Sequence, residues 1–439
     1  FPFSIFGWPD ETADLKAFYP GTLLETGHDI LFFWVAKMVM LGTKLMGKLP
    51  FTEVLLHSIV RDAHGRKMSK SLGNVIDPVD VIQGISLEEL NQKLHDSNLD
   101  PAEVERAKVG QKADYPRGIP ECGTDAMRFV PRAPTCRRVE TSTWTSTGWK
   151  ATGTSATRSG MPHALPSCPW ARPSSRRRLC VRLPGPPMDR WILSRLSAAT
   201  ELCNSGFESY NFPQITTAIY NFWLYELCDV YLESLKPVFQ GQDAEAKQSS
   251  SEVLLTCLHM ALRLLHPFMP FLTEELYQRL PRRPRPQLPP SICVDTYPEV
   301  GELPARDESL ERQVAFMQDL VHKVRSLRAD YNLTKAKVHL YVRCSSPSGR
   351  EVVGSLAAVI AALTASSQVE LLEAAAVPPL GCAVTTVSDT CQAYLMLKGV
   401  VDPAKETERL SLKQEKLEAQ VSKLKAAMGA SDYAAKVPT

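Results

Sequence analysis

The sequence predicts an α/β region with parallel strands, then an α-helical bundle, a small α/β module and a closing helix of coiled-coil type. Three observations carry this reading. Between residues 21 and 60 apolar runs alternate as strand, helix and strand. From residue 188 apolar residues recur at spacings of three and four. Near the end, Leu410, Leu417 and Leu424 stand seven apart. At 439 residues the chain has length for roughly two to four domains.

In residues 1–129, "GTLLETG" and "FTEVLLHSIV" read as short buried strands, and "DILFFWVAKMVMLGTKLMG" between them as a helix with a wide apolar face. Strand, helix and strand in that order make a βαβ unit with parallel strands. A ligand of such a sheet is expected at the strands' carboxyl ends, where "ETGHD" and "RDAHGRKMSKS" fall.

Residues 130–187 differ in kind, with nine prolines, nine arginines, fifteen Ser or Thr and three tryptophans, but no Ile, Phe, Tyr, Asn, Gln or Asp. No core can be patterned from that composition, so a disordered or anomalous segment is expected. In residues 188–330, "MDRWILSRLSAATELCNSGFESYNF", "PQITTAIYNFWLYELCDVYLESLKP" and "SSEVLLTCLHMALRLLHPFMPFLTEELYQRLP" predict a bundle, joined by "PRRPRPQLPPS" to a helix around "ERQVAFMQDLVHKVRSLRADYNL". Residues 331–401 predict a small α/β module, with strands at "KVHLYVRC", "SQVELLE" and "CQAYLMLKG" and a helix over "GREVVGSLAAVIAALTAS". In residues 402–439, Val421 and Met428 take the alternate seam position, while Thr407 and Gln414 weaken it. An amphipathic helix docked on its own protein fits that periodicity equally well.

The net charge of +2 gives no global field, so a nucleic acid would have to be held by local basic patches. Eleven cysteines stand singly, with no spacing of a zinc site or a disulfide framework, which favours a reducing, cytoplasmic setting and no metal centre of the protein's own. No apolar run approaches the roughly 20 residues that span a bilayer, and no membrane partner is expected. The opening "FPFSIFGWPD" has neither an initiator Met nor a basic stretch, so it is not read as a targeting peptide.

Chemistry is concentrated in "RDAHGRKMSKSLGNVIDP", residues 61–78. A solvated turn is the bland reading of so polar a stretch. Lys67 and Lys70, flanking Met68 and Ser69, could instead converge on one polyphosphate and stabilise charge developing on leaving pyrophosphate oxygens. Gly65 and Gly73 would let such a loop close over a nucleotide.

"KMSKS" within "GRKMSKSLGNVIDP" resembles the second signature of class I aminoacyl-tRNA synthetases, "LLETGHDILFFWVAKMVMLG" resembles their valyl group, and "HGRKMSKSLGNVIDPVDVIQGISLEEL" and "KADYPRGIPECGTDAMRF" resemble the cytosolic animal type of that group. The resemblance implies a partial class I catalytic domain of Rossmann type over residues 1–129 and a helical anticodon-binding domain over residues 188–330. It further implies a terminal tRNA-binding arm. On this likeness ATP, brought with Mg2+, is bound by Gly27, Asp29, Lys67, Met68, Ser69, Lys70 and Ser71. Gly27 and Asp29 hold the ribose, Lys67 and Lys70 are catalytic, and Ile30 and Trp34, four apart on one helical face, line the valine pocket. Lys413, Lys416, Lys423, Lys425 and Lys436 face tRNA phosphates.

The implied function is valine–tRNA ligation: valine and ATP give valyl adenylate, and the valyl group passes to tRNA(Val). The family's first signature, of His-Ile-Gly-His type, and its editing domain are expected ahead of Phe1, which makes this a C-terminal fragment. Residues 130–187 replace expected family sequence, as a shifted reading frame would. A catalytically inactive tRNA-binding fragment is therefore the second expectation.

Overall fold

The computed structural model describes residues 2–57, 59, 67–69, 73–96, 99–129, 185–281, 289–333, 336–373, 376–401 and 403–428. The anomalous segment, apart from its last three residues, lies outside them. Two compact units are present, one drawn from within Phe1–Arg178, Ala198–Leu224 and Leu255–Leu303, the other from within Leu179–Ser197, Tyr225–Leu254 and Pro304–Thr439. Each is taken in turn.

In the first unit, β1 (Gly21–Gly27) and β2 (Phe51–His57) pair in parallel, from Gly21 level with Phe51 to Gly27 level with His57. The helix Ala36–Met46 between them ends at Gly47, whose left-handed backbone (φ 65°) lets its amide bond the Thr43 carbonyl. The single helix expected over residues 29–47 is three pieces: a 3-10 turn His28–Ile30, a π-turn Leu31–Val35 and then the α-helix. The cause is local: Ile30 takes φ −108°, ψ 9°, so the chain is not helical as it enters the apolar run. Leu23, Val54, Leu56, Phe32 and Phe33 are exposed, and the Phe32 and Phe33 rings meet edge-on.

Three short helices follow, each started by the residues beside it. Asp77 caps Pro78–Gln83 with proline in its first turn, Ser86 and Glu89 form a capping box on Leu87–His95, and Asp100 caps Pro101–Asp114. Val81, Leu90, Tyr115 and Ile119 gather beneath them with Ile76, Ile85, Cys122 and Met127. The helix Thr124–Phe129 then docks on Pro270–Arg279. The Asp125 carboxylate accepts the Leu272 amide at 2.6 Å, and the Arg128 guanidinium donates to the Pro267 carbonyl at 3.1 Å.

In the second unit, the start of the helix Pro187–Glu208 is fixed by charge. Arg195 lies between Glu226, at 2.8 Å, and Glu311, at 2.7 Å, and Glu311 also accepts from the Ser194 hydroxyl and from Arg306. This ties Pro187–Glu208 to the π-helical turns Asn221–Tyr231 and to the long helix Glu308–Asp330, whose Val314, Met317, Leu320 and Val324 are buried. The buried Asp189 carboxylate accepts from Tyr231 at 2.8 Å and from Ser250 at 3.0 Å, which satisfies it without a cation.

The same unit holds a four-stranded mixed sheet in the order β4, β3, β6, β5, with β3 (Val338–Cys344) parallel to β4 (Ser366–Leu372) and antiparallel to β6 (Cys391–Met396). Strand β5 (Cys382–Ser388) was not expected from sequence. The expected helix over residues 349–366 breaks at Leu356 into Pro347–Ser355 and Ala357–Thr364. The helix Pro403–Met428 closes the described chain with Leu417, Val421 and Leu424 exposed. No helix among the described residues is long and apolar enough to cross a membrane.

Burial would push the Glu311 carboxyl up, but hydrogen bonds from Arg306, Ser194 and Arg195 outweigh it and hold the group at about 2, below its usual 4.5. Its stabilising contribution is thus present above pH 4.5 and is lost as pH falls toward 2. Glu226, on the same arginine, is raised by burial despite the ion pair, so it subtracts at neutral pH and is relieved by acid. We expect Glu311→Gln to cost about 2 to 3 kcal/mol at pH 7. Thermal melts of both proteins between pH 7 and 3 should show the gap narrowing in acid.

Candidate functional site

The site lies where β1 and β2 end side by side. Gly27 is the last residue of β1 and His57 the last of β2, and the parallel register sets them level. From Gly27 the chain turns at once into His28–Ile30, which brings the Asp29 carboxylate back over the strand end. Gly27 has an ordinary φ of −74°, so its requirement is steric: a Cβ there would stand 2.7 Å from Asp29 Oδ1.

The Lys67 ammonium reaches this carboxylate and ion-pairs with Asp29 Oδ2. The hydrogen bond from Lys67 is the main reason that the Asp29 carboxyl sits below its ordinary range, with burial opposing it. Two residues read separately from sequence, 38 positions apart, are thus in direct contact. Beside them, His57 Nε2 lies 3.4 Å from Glu25 Oε1 across the strand pair.

Asn74 shapes the segment that carries Lys67. Its Oδ1 accepts the Ser69 amide at 3.0 Å, and its Nδ2 donates to the Lys67 carbonyl at 3.3 Å. Gly73, beside it, adopts φ 62°, and a Cβ there would lie 2.8 Å from Leu99 Cδ1 and 3.0 Å from Ala107 Cβ. Gly73 is thus packed against the helices that follow, where any side chain would be crowded. Gly65 lies outside the described residues.

Met68 and Ser69 are half-buried beside Lys67, whereas Lys70 and Ser71 lie outside the described residues. Ile30 is 39% exposed and Trp34 45%. Their shared face was argued from α-helical spacing, which does not apply here, since Ile30 ends the 3-10 turn and Trp34 belongs to the π-turn. Lys416, Lys423 and Lys425 are exposed on Pro403–Met428, which also carries Lys413, and Lys436 lies outside the described residues. Sequence reasoning missed His57 and the bracing by Asn74, although "HSIV" and "SLGNVIDP" were both noted.

A carboxylate and an ammonium that satisfy each other at the carboxyl ends of parallel strands can be exchanged for a ligand carrying both hydroxyls and anionic oxygens. The carboxylate would accept from the hydroxyls, and the ammonium would donate to the anion.

Residues 1–141 match the family described as tRNA synthetases class I (I, L, M and V), and residues 189–342 match the anticodon-binding domain of tRNA ligase. Among curated proteins, the chain is 50% identical over 453 aligned residues to the valine–tRNA ligase of Mus musculus, covering all of this chain and 35% of that protein. It is 44% identical to that of Caenorhabditis elegans, covering all of this chain and 42% of the relative. It is also 44% identical to the mitochondrial valine–tRNA ligase of Mus musculus, covering 97% of this chain and 40% of that one. The chain thus spans about 35 to 42% of the length of these relatives.

Asn74→Ala removes two hydrogen bonds, each worth about 1 kcal/mol. We expect roughly tenfold faster amide hydrogen exchange at residues 67–69, with exchange in the helix Glu308–Asp330 unchanged. Equal acceleration at both places would show a global loss of stability instead.

Proposed function

This chain belongs to the class I tRNA synthetases of the I, L, M and V group, and from that premise we propose that it serves valine–tRNA ligation. In this reading valine and ATP form valyl adenylate with release of pyrophosphate, and the valyl group then passes to tRNA(Val). The observation that carries it is the Asp29–Lys67 pair at the strand ends. When the nucleotide binds, the Asp29 carboxylate turns to the ribose hydroxyls beside Gly27, and the freed Lys67 ammonium turns to the phosphates. Lys70 supplies the second ammonium, with Met68, Ser69 and Ser71 completing the loop. Magnesium arrives on the triphosphate and supplies further charge neutralisation there.

Ile30 and Trp34 shape the valine pocket, and their exposure leaves both side chains accessible to a ligand. Such a pocket gains only about 1 to 3 kcal/mol per methylene and discriminates poorly against an isosteric hydroxyl, so accurate charging calls for an editing activity as well. The tRNA is held by the helices of residues 188–330 and by Lys413, Lys416, Lys423, Lys425 and Lys436 of the terminal helix. Cytoplasmic location fits the scattered cysteines, eight of which are free thiols among the described residues.

A second reading, a tRNA-binding piece without catalysis, is favoured by the exposed apolar side chains of β1 and β2. Valine-dependent exchange of pyrophosphate into ATP separates the two. Exchange by this chain, slowed roughly 100-fold by Lys67→Ala with affinity for tRNA(Val) unchanged, is the outcome expected of the ligase. Binding of tRNA(Val) without any exchange would leave the second reading standing, and equal loss of exchange and tRNA binding in Lys67→Ala would make the loop structural.

A further inference from the structure

We propose that Cys344 and Cys391 form a latent cross-strand disulfide site, closed by a peroxide and reopened by a dithiol. Cys344 ends β3 and Cys391 begins β6, and the antiparallel register sets them opposite each other. Their sulfurs lie 3.1 Å apart, and both residues are buried on one face of the sheet, Cys344 in line with Val342 and Leu340 of β3 and Cys391 in line with Ala393 and Leu395 of β6.

The hydrogen bonding identifies the kind of pair. The Ser345 amide donates to the Thr390 carbonyl at 2.9 Å, one residue beyond the cysteines on both strands. Cys344 and Cys391 are therefore a non-hydrogen-bonded pair, in which Cα atoms approach to about 4.5 Å and side chains are closest. That separation lies within the range a disulfide spans, about 4.4 to 6.8 Å, so the bond can close without moving the strands apart.

Polarity and access fit a stepwise reaction. The hydrogen bond with Cys391 lowers the Cys344 thiol, burial opposes this, and the Arg350 charge assists it, while Cys391 is pushed up by the same hydrogen bond. The Arg350 charge favours the thiolate of Cys344, so the reaction is written with Cys344 attacking first. The pair stands at the end of the β3–β6 ladder, and Ser346, two residues past Cys344, caps the helix Pro347–Ser355 by accepting the Gly349 amide at 3.1 Å. Fraying of that first turn and of the ladder end admits a small oxidant without global unfolding.

The Cys344 thiolate attacks one peroxide oxygen, the O–O bond breaks, and a sulfenic acid forms with loss of hydroxide, which takes a proton to become water. The Cys391 sulfur then attacks the Cys344 sulfur, the S–O bond breaks, and the oxygen leaves as water with the Cys391 proton. Two thiols lose two electrons and two protons, and one peroxide becomes two waters. The bond closes a loop between residues 47 positions apart, which restricts the unfolded chain and so raises stability.

The test uses the full chain in its native state, treated with hydrogen peroxide, alkylated and digested without reduction. We expect a linked peptide pair joining Cys344 to Cys391, lighter by two hydrogens than its reduced parts and lost after dithiothreitol. The thermal midpoint should rise on oxidation, and Cys344→Ser should abolish both effects while leaving oxidation of the exposed Cys293 intact. Alkylation of both Cys344 and Cys391 after Cys293 is fully oxidised would overturn the proposal, as would their recovery in disulfides with other cysteines. Because the principal reading is made on the unsubstituted chain, a folding defect in the variant does not blunt the test.

Discussion

The parallel register of β1 on β2 is the constraint on which the site rests. With Gly27 level with His57, both strands stop at the same height, and whatever follows each of them must share one small space. The turn His28–Ile30 leaves one strand with a carboxylate, and Lys67 lies ten residues after the other ends. A slip of a single residue would exchange the faces of every side chain on a strand and take the Asp29–Lys67 contact with it. The glycine at 27 and the asparagine at 74 refine this arrangement, one by giving room and the other by bonding the backbone at Ser69 and Lys67.

Elsewhere the chain pairs several of its buried charges. Glu311 collects an arginine from its own side, another from Pro187–Glu208 and a serine hydroxyl, and the buried Arg263 is matched by Glu302 at 3.0 Å and by the Thr296 carbonyl at 2.7 Å. Such clusters add little net stability over an apolar replacement, yet losing one member leaves the others unpaired in low dielectric. We therefore read them as fixing which helix turn faces which neighbour, with stability coming mainly from apolar burial around Val314, Met317 and Val324.

The sequence made the strand pair and the helical periodicities legible because each is a local pattern. "GTLLETG" corresponds to β1 residue for residue. The site was legible only through its motif. Lys67 and Asp29 were both named, but their contact depends on strand register and on a turn at Ile30 that no periodicity encodes. The π-turn at Trp34 and the break at Leu356 escaped because each follows a local backbone angle, at Ile30 and at Leu356, that side-chain periodicity does not record, and strand β5 escaped because its pairing on β6 is made in the sheet. The Cys344–Cys391 pair escaped most completely: single cysteines 47 residues apart carry no signal until an antiparallel ladder sets them face to face.

The exposed β1–β2 ribbon has a consequence for behaviour in solution. Among the described residues each strand has one neighbour, so each offers an outer row of amide and carbonyl groups next to the apolar Leu23, Val54 and Leu56. Natural sheets blunt such borders with charge, proline or a covering element, and otherwise act as templates for further strands. A ribbon of this kind favours strand addition at high concentration, and a surface that covers it would act as a solubiliser.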